Sequence, residues 1–346
     1  MTIAAAVSIV LCLLALAQQP AAQQPATPPA SDIAAALKDA HALIDKDQTA
    51  AAIEKLNALP PAQASDPRVQ ALLGVAYYHA NRLQLAAEIL LQAHERLPAD
   101  SAEQHEAEEA LGLTLHLLGR YPAAIPWLER ASAHTPANLE LSFVLGQACI
   151  QARQPDRARQ ALARAFGLPP DSAAARIAAA QLMMRLQMDA MAEAELTAAL
   201  EHDPKTPRAN YLLGQMALFR GRLDDAVRYS TRELELNPTD AMAFYQMGDA
   251  YVRRGQWDDA IRALQRSLWL NPFYSGPYIL LGKAYQKRGE PRTAESMLRR
   301  AIEYDPNNRT AHYLLAQVLQ QTGRAEEARR EFSRAEQLQG QAGRPE

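Results

Sequence analysis

The sequence predicts an all-α solenoid built from antiparallel helix pairs. Three observations carry that expectation: a 34-residue period, an alanine at one fixed place in eight successive units, and helically spaced apolar residues within each unit. The period is plainest where GRLDDAVRYSTRELELNP, GQWDDAIRALQRSLWLNP and GEPRTAESMLRRAIEYDP begin at Gly221, Gly255 and Gly289. Pro238, Pro272 and Pro306 keep the spacing, as do Leu213-Gly214, Met247-Gly248 and Leu281-Gly282. The frame extends to eight units, 67–100, 105–138, 139–172, 173–206, 207–240, 241–274, 275–308 and 309–342, with a four-residue insertion, Ser101 to Gln104, after the first. Ala86, Ala124, Ala158, Ala192, Ala226, Ala260, Ala294 and Ala328 all fall at the twentieth position.

Each unit reads as two helices. In 241–274 the first carries the stripe Phe244, Met247, Gly248 and Tyr251, and Gly255 ends it by adopting the left-handed conformation. The second runs from about Gln256 to Trp269 on the stripe Trp257, Ala260, Ile261, Leu264 and Leu268. Asn271-Pro272 stops it, because proline has no amide hydrogen to continue the ladder. Asp100, Asn138, Asp240 and Asn308, each last in its unit, are expected to cap the helix that follows.

Residues 31–66 form a weaker hairpin, IAAALKDAHALI and TAAAIEKLNAL, broken at Asp45-Lys46-Asp47 and stopped by Pro60-Pro61. They read as a degenerate unit serving as the N-terminal cap, since a terminal unit turns one face to water. At the other end no capping helix is expected: the last helix, with Glu326, Glu327, Arg329, Arg330, Glu331 and Arg334, is polar enough to face water, and GQAGRPE should fray.

Ahead of the array, residues 1–17 read as a secretory signal peptide. IAAAVSIVLCLLALA is uncharged and, at 15 residues, short for a bilayer span, which takes about 20. Ala15-Leu16-Ala17 offers a cleavage site after Ala17, although Met1-Thr2 supplies no basic side chain. An uncleaved N-terminal anchor is the alternative, and Leu11 before Cys12 argues against lipid attachment. Residues 18–30, QQPAAQQPATPPA, suit a flexible tether. The expected location is therefore periplasmic or secreted, or membrane-anchored if the leader is retained.

Composition removes several classes. Lys plus Arg number 36 against 39 Asp plus Glu, which gives no basic stripe for nucleic acid. The two cysteines, Cys12 and Cys149, exclude a disulfide framework and a cysteine zinc site. The length alone suggests two domains, but an unbroken period predicts a single solenoid in which each unit touches mainly its neighbours.

With a bulky residue at four, Leu-Gly at seven and eight, Tyr at eleven, Ala at twenty and twenty-seven and Pro at thirty-two, residues 67 to about 340 resemble the tetratricopeptide repeat (TPR). The resemblance implies a right-handed superhelical solenoid. Departures are Arg176 and Asn210 at four, Ala180 and Ala316 at eight, and Glu233 where alanine belongs. Glu233 needs a partner in its packing position, a local ion pair being the expected one.

No catalytic signature survives, so no enzyme, cofactor or metal is expected. His105-Glu106-Ala107-Glu108-Glu109 shares the start of a zinc-binding HExxH but ends in glutamate. No Gly-rich phosphate loop or G-x-S-x-G occurs, and the eight histidines, His41, His79, His94, His105, His116, His134, His202 and His312, are scattered. His312 takes a packing position, and Cys149 falls in the slot held by Tyr77, Tyr251 and Tyr285 elsewhere, so both are expected in the core.

In the family that the chain resembles, positions two, five, nine, twelve and thirteen of the first helix line a concave surface. Position five carries Phe143, Ile177, Tyr211, Tyr245, Ile279 and Tyr313, and position nine Gln147, Gln181, Gln215, Asp249, Lys283 and Gln317. Arg253, Lys283 and Lys287 make the C-terminal stretch basic. An aromatic column beside amides suits a protein partner held as an extended peptide or a helix, and a glycan as the alternative. The competing reading leaves position five as packing and position nine as solvated surface. The lysine and asparagine with which family members clamp a chaperone's C-terminal carboxylate are absent at five and nine, which disfavours a cytosolic chaperone adaptor. The expected function is a binding scaffold of the cell envelope, with a carbohydrate-engaging or assembly role in polysaccharide or cell-wall export as the alternative.

Overall fold

The computed structural model describes residues 30–342, and every regular element among them is a helix. The expected signal peptide and tether lie outside the described residues, apart from Ala30, which opens the first helix. None of the described helices is long and apolar enough to cross a membrane. The described residues fall into two compact units that divide between Ala137 and Asn138.

The first unit holds α1 (Ala30–Ile44), α2 (Thr49–Asn57), the single turn α3 (Pro61–Ala64), and the pairs α4 (Pro67–His79) with α5 (Leu83–His94) and α6 (Ala102–Leu117) with α7 (Tyr121–His134). The second holds α8 (Leu139–Gln151), α9 (Pro155–Ala165), α10 (Ala173–Arg185), α11 (Asp189–His202), α12 (Ala209–Phe219) and α13 (Leu223–Leu236). It continues through α14 (Ala241–Arg254), α15 (Trp257–Leu270), α16 (Ser275–Arg288), α17 (Pro291–Tyr304), α18 (Arg309–Gln321) and α19 (Ala325–Ala342). Within the second unit each helix packs on the next, and α12 also meets α14, α14 meets α16 and α16 meets α18.

One contact explains the small residue at position eight. A Cβ placed on Gly74, Gly112, Gly146, Gly248 or Gly282 would stand 2.5 to 2.9 Å from the side chain of Leu90, Leu128, Leu162, Leu264 or Leu298 respectively. Each of these leucines is fully buried, so leucine on the second helix fills the notch that glycine leaves on the first. The alanines at position twenty are buried alongside.

The turns inside the pairs share one conformation whichever residue supplies it. Gly255 and Gly289 take φ of 73° and 86°, and Asn81, Arg153 and Gln187 hold φ of 56°, 58° and 59° at the same place. Asn138, Asp240 and Asn308 cap their helices through Leu141, Met242 with Ala243, and Ala311 N–H groups. Asp100 does not: the four-residue insertion moves the helix start to Ala102, Ser101 becomes the cap, and Asp100 turns to His105 instead. The expected fray at Gly340 is also displaced, because α19 runs on to Ala342. An isolated glycine costs a helix only about 1 kcal/mol and no proline interrupts the segment.

The polar departures are resolved individually. Cys149 and His312 are buried, the latter between the Glu331 carboxylate and the Pro306 carbonyl. Arg176 donates to Glu195 Oε2 at 3.0 Å, and Arg159 donates to Oε1 at 2.9 Å, forming a mostly buried Arg–Glu–Arg cluster. Glu233 makes no ion pair among the described residues; its partners are backbone amides of α12.

Candidate binding groove

Three first helices in succession, α8, α10 and α12, put one side of the second unit to use. Phe143 on α8 meets Phe166 edge to face, with ring centroids 6.2 Å apart. Phe166 follows α9 directly, and Gly167 at φ 64° turns the chain away behind it. From α10 come Gln181, Leu182, Met184 and Arg185, and from α12 Tyr211, Gln215, Met216 and Phe219. Together with Arg208 and Asp189 they enclose a groove of about 1070 Å³.

Tyr211 sits in the first turn of α12, which begins unusually. Arg208 stands ahead of it at φ 65° and offers no side-chain cap. The buried Glu233 carboxylate supplies the missing acceptor, taking the N–H groups of Tyr211 at 3.1 Å and Arg208 at 3.3 Å. This is capping at a distance, and the helix dipole favours the negative charge there. The Arg208 guanidinium lies 5.2 Å from the centre of the Tyr211 ring. Burial pushes the Tyr211 hydroxyl above its ordinary pKa, so the ring stays neutral.

Exposure distinguishes contact surface from core. Phe219 is 84% exposed and Phe166 53%, and both rings border the groove. Gln181 and Gln215 are also exposed, and neither amide is engaged by another described residue. The groove therefore offers aromatic area together with free donors and acceptors.

Of the residues expected on the concave face, the groove brings together Phe143, Gln181, Tyr211 and Gln215. The remainder do not line it. Tyr245 stands edge-on to Tyr274 at 5.3 Å, and its hydroxyl is pushed far above the ordinary value by burial and by that neighbour. Asp249 and Arg253 are engaged with each other through two hydrogen bonds of 2.9 and 2.8 Å, and Arg253 also donates to the Leu218 carbonyl. The basic stretch is thereby reduced to Lys283 and Lys287. Tyr313 packs on Phe332, Ile279 is buried, and Gln147 and Gln317 are half-buried outside the groove. Of the six apolar or aromatic residues at position five, Phe143 and Tyr211 line this groove.

Sequence reasoning missed Phe166, Phe219, Arg185 and Arg208. Phe219 and Arg185 occupy position thirteen and Arg208 position two, so the repeat frame held the signal for three of the four. Phe166 lies beyond a second helix, where only the fold shows that it turns inward. The histidines are also not all scattered: His94, His105 and His134 gather in the first unit around Glu108.

Family models described as tetratricopeptide repeat match residues 115–168, 190–241, 231–262 and 279–343, and one described as TPR repeat matches 248–289. The chain belongs to the tetratricopeptide-repeat family. None of the curated proteins matches the chain. Among solved structures, a crystal structure of MamA is 26% identical over 46% of this chain and 93% of its own, with a TM-score of 0.43. MamA from residue 41 onward, from Desulfovibrio magneticus RS-1, is 22% identical over 50% of this chain and 98% of its own, with a TM-score of 0.47. YrrB, described as a TPR protein with an unusual peptide-binding site, is 21% identical over 53% of this chain and 95% of its own, with a TM-score of 0.40.

Proposed function

We propose that this protein is a scaffold of the cell envelope that grips an extended peptide segment of a partner protein in the α8–α10–α12 groove. The exposed phenylalanines carry the proposal: Phe166 and Phe219 flank unengaged Gln181 and Gln215 in a groove of about 1070 Å³. Glutamine amides pair with a backbone from either side, and the rings accept apolar side chains at low entropy cost. Because the lining stands on packed helices, most of the ordering on binding falls on the ligand. The envelope assignment rests on the uncharged leader before Ala17.

The test is affinity capture from an envelope fraction, comparing the wild type with a Phe143→Ala, Phe219→Ala double variant of unchanged helicity. A protein lost only from the variant supports the groove. Equal recovery from both overturns it, and competition by soluble glycan but not by peptide replaces the peptide with a carbohydrate. A mature N-terminus at Gln18 supports export; a retained Met1 in a soluble fraction removes the envelope assignment.

A further inference from the structure

The corner between α5, α6 and α7 holds the densest group of metal-ligating side chains among the described residues. Asp100 lies ahead of α6, His105 in its first turn, and His134 at the end of α7. One ligand atom from each lies within 4.8 Å of the other two. His105 Nε2 is 2.9 Å from Asp100 Oδ1, and His134 Nδ1 is 4.0 Å from the same oxygen. The two imidazole rings lie face to face, centroids 3.5 Å apart and planes 19° from parallel.

Behind them Glu108 is 4% exposed and only half satisfied. Its Oε1 has His94 Nε2 at 2.9 Å and accepts a long bond of 3.5 Å from Arg130. Its Oε2 is buried and accepts no hydrogen bond; the nearest donor, His134 Nε2, stands 3.5 Å away. A buried carboxylate oxygen without a donor is costly, and the His134 imidazole stands just beyond hydrogen-bond reach of it.

We propose that Asp100, His105 and His134 form a binding site for a divalent transition-metal ion of the zinc class, with Glu108 supporting it from behind. Two imidazole nitrogens and a carboxylate oxygen are a zinc-compatible donor set, and three protein ligands leave a fourth position for water. Ligated through Nδ1, His134 must carry its proton on Nε2, the atom that faces the orphan oxygen of Glu108. The ion therefore fixes the tautomer, and Glu108 gains its donor, in the carboxylate–histidine–metal arrangement common to metal sites. Binding requires the two stacked rings to swing apart so that both nitrogens converge on the ion, and Asp100, whose side chain is 83% exposed, to rotate toward it. The bound ion joins the start of α6 to the end of α7.

The test uses the full chain, stripped with chelator and titrated with zinc alone by calorimetry. The expected result is one zinc per chain and a rise in melting temperature. Asp100→Asn, His105→Ala and Glu108→Gln each lower the affinity by about tenfold or more, while His79→Ala and His202→Ala leave it unchanged. No saturable binding to the wild type, or equal binding by the Asp100→Asn and His105→Ala variants, overturns the site. Asp100→Asn decides the matter if the other variants fail to fold, because that side chain is mostly in solvent.

Discussion

The Glu233 carboxylate on α13 closes the N-terminus of α12, accepting the Tyr211 amide at 3.1 Å. It stands where the repeat frame has alanine, so restoring the alanine is the informative change. Glu233→Ala is expected to destabilise the protein by about 1–3 kcal/mol, the range for hydrogen bonds to charged groups. Urea denaturation followed by circular dichroism reads the change. A gain in stability would show that the carboxylate is not an effective cap.

The Arg159–Glu195–Arg176 cluster makes a second prediction. Arg159 and Glu195 are each 6% exposed, and without Glu195 the Arg159 guanidinium keeps Asp156 at 2.9 Å and the Pro170 carbonyl at 3.2 Å. Glu195→Ala is expected to cost about 1–3 kcal/mol, whereas replacing all three residues with apolar ones of similar size is expected to be near neutral. Thermal melts of the single and triple variants separate these outcomes, and equal losses would contradict the account.

Glycine acts in two opposite ways within the repeat, which can be measured side by side. Gly248→Ala forces a Cβ to within 2.5 Å of buried Leu264 and should cost about 1–3 kcal/mol as overpacking. Arg153→Gly relieves a non-glycine residue at φ 58° and should stabilise, because the left-handed conformation costs about 1–2 kcal/mol against about 0.5–1 for glycine's extra freedom. Chemical denaturation of the two variants should give opposite signs.

Asp66 gives a pH dependence. The Arg68 guanidinium hydrogen-bonded to it, and after that the Arg68 backbone N–H, hold its carboxyl below the ordinary range, despite partial burial acting the other way. A carboxyl whose pKa is lowered on folding stabilises fully above its unfolded value, about 3.9. That contribution fades as pH falls from there through the folded value. Asp66→Asn should therefore flatten the acid limb of the melting profile below about pH 4. A wild-type limb unchanged by the substitution would remove Asp66 from the acid response.

The array was legible because its constraints are local. Period, small residue at eight, left-handed turn and proline stop each act within one helix pair, and the chain repeats them from unit to unit, the proline in all but the last. The groove was legible only in part because it depends on neighbours. Phe143, Gln181, Tyr211 and Gln215 could be placed from repeat position, but nothing local says that Tyr245 turns to Tyr274 or that Arg253 folds back on Asp249. The insertion Ser101 to Gln104 is the clearest case: it reads as four surplus residues, yet it moves Asp100 off its cap and beside two histidines.

Gly214 breaks the glycine–leucine rule. Ser230 stands where leucine stands in the other glycine-bearing repeats, and the Gln246 amide oxygen fills the notch, 2.9 Å from the Cβ that Gly214 lacks. Around this seam the apolar side chains separate into one cluster from Val252 to Ala328 and another of Ala217, Leu218, Ala226 and Ala250. A linear array melts first at its weakest coupling, since each repeat depends on its neighbours alone. The polar joint is therefore a natural fuse: α14–α19 can hold together as one cooperative block while the segment bearing Phe219 loosens and recloses independently.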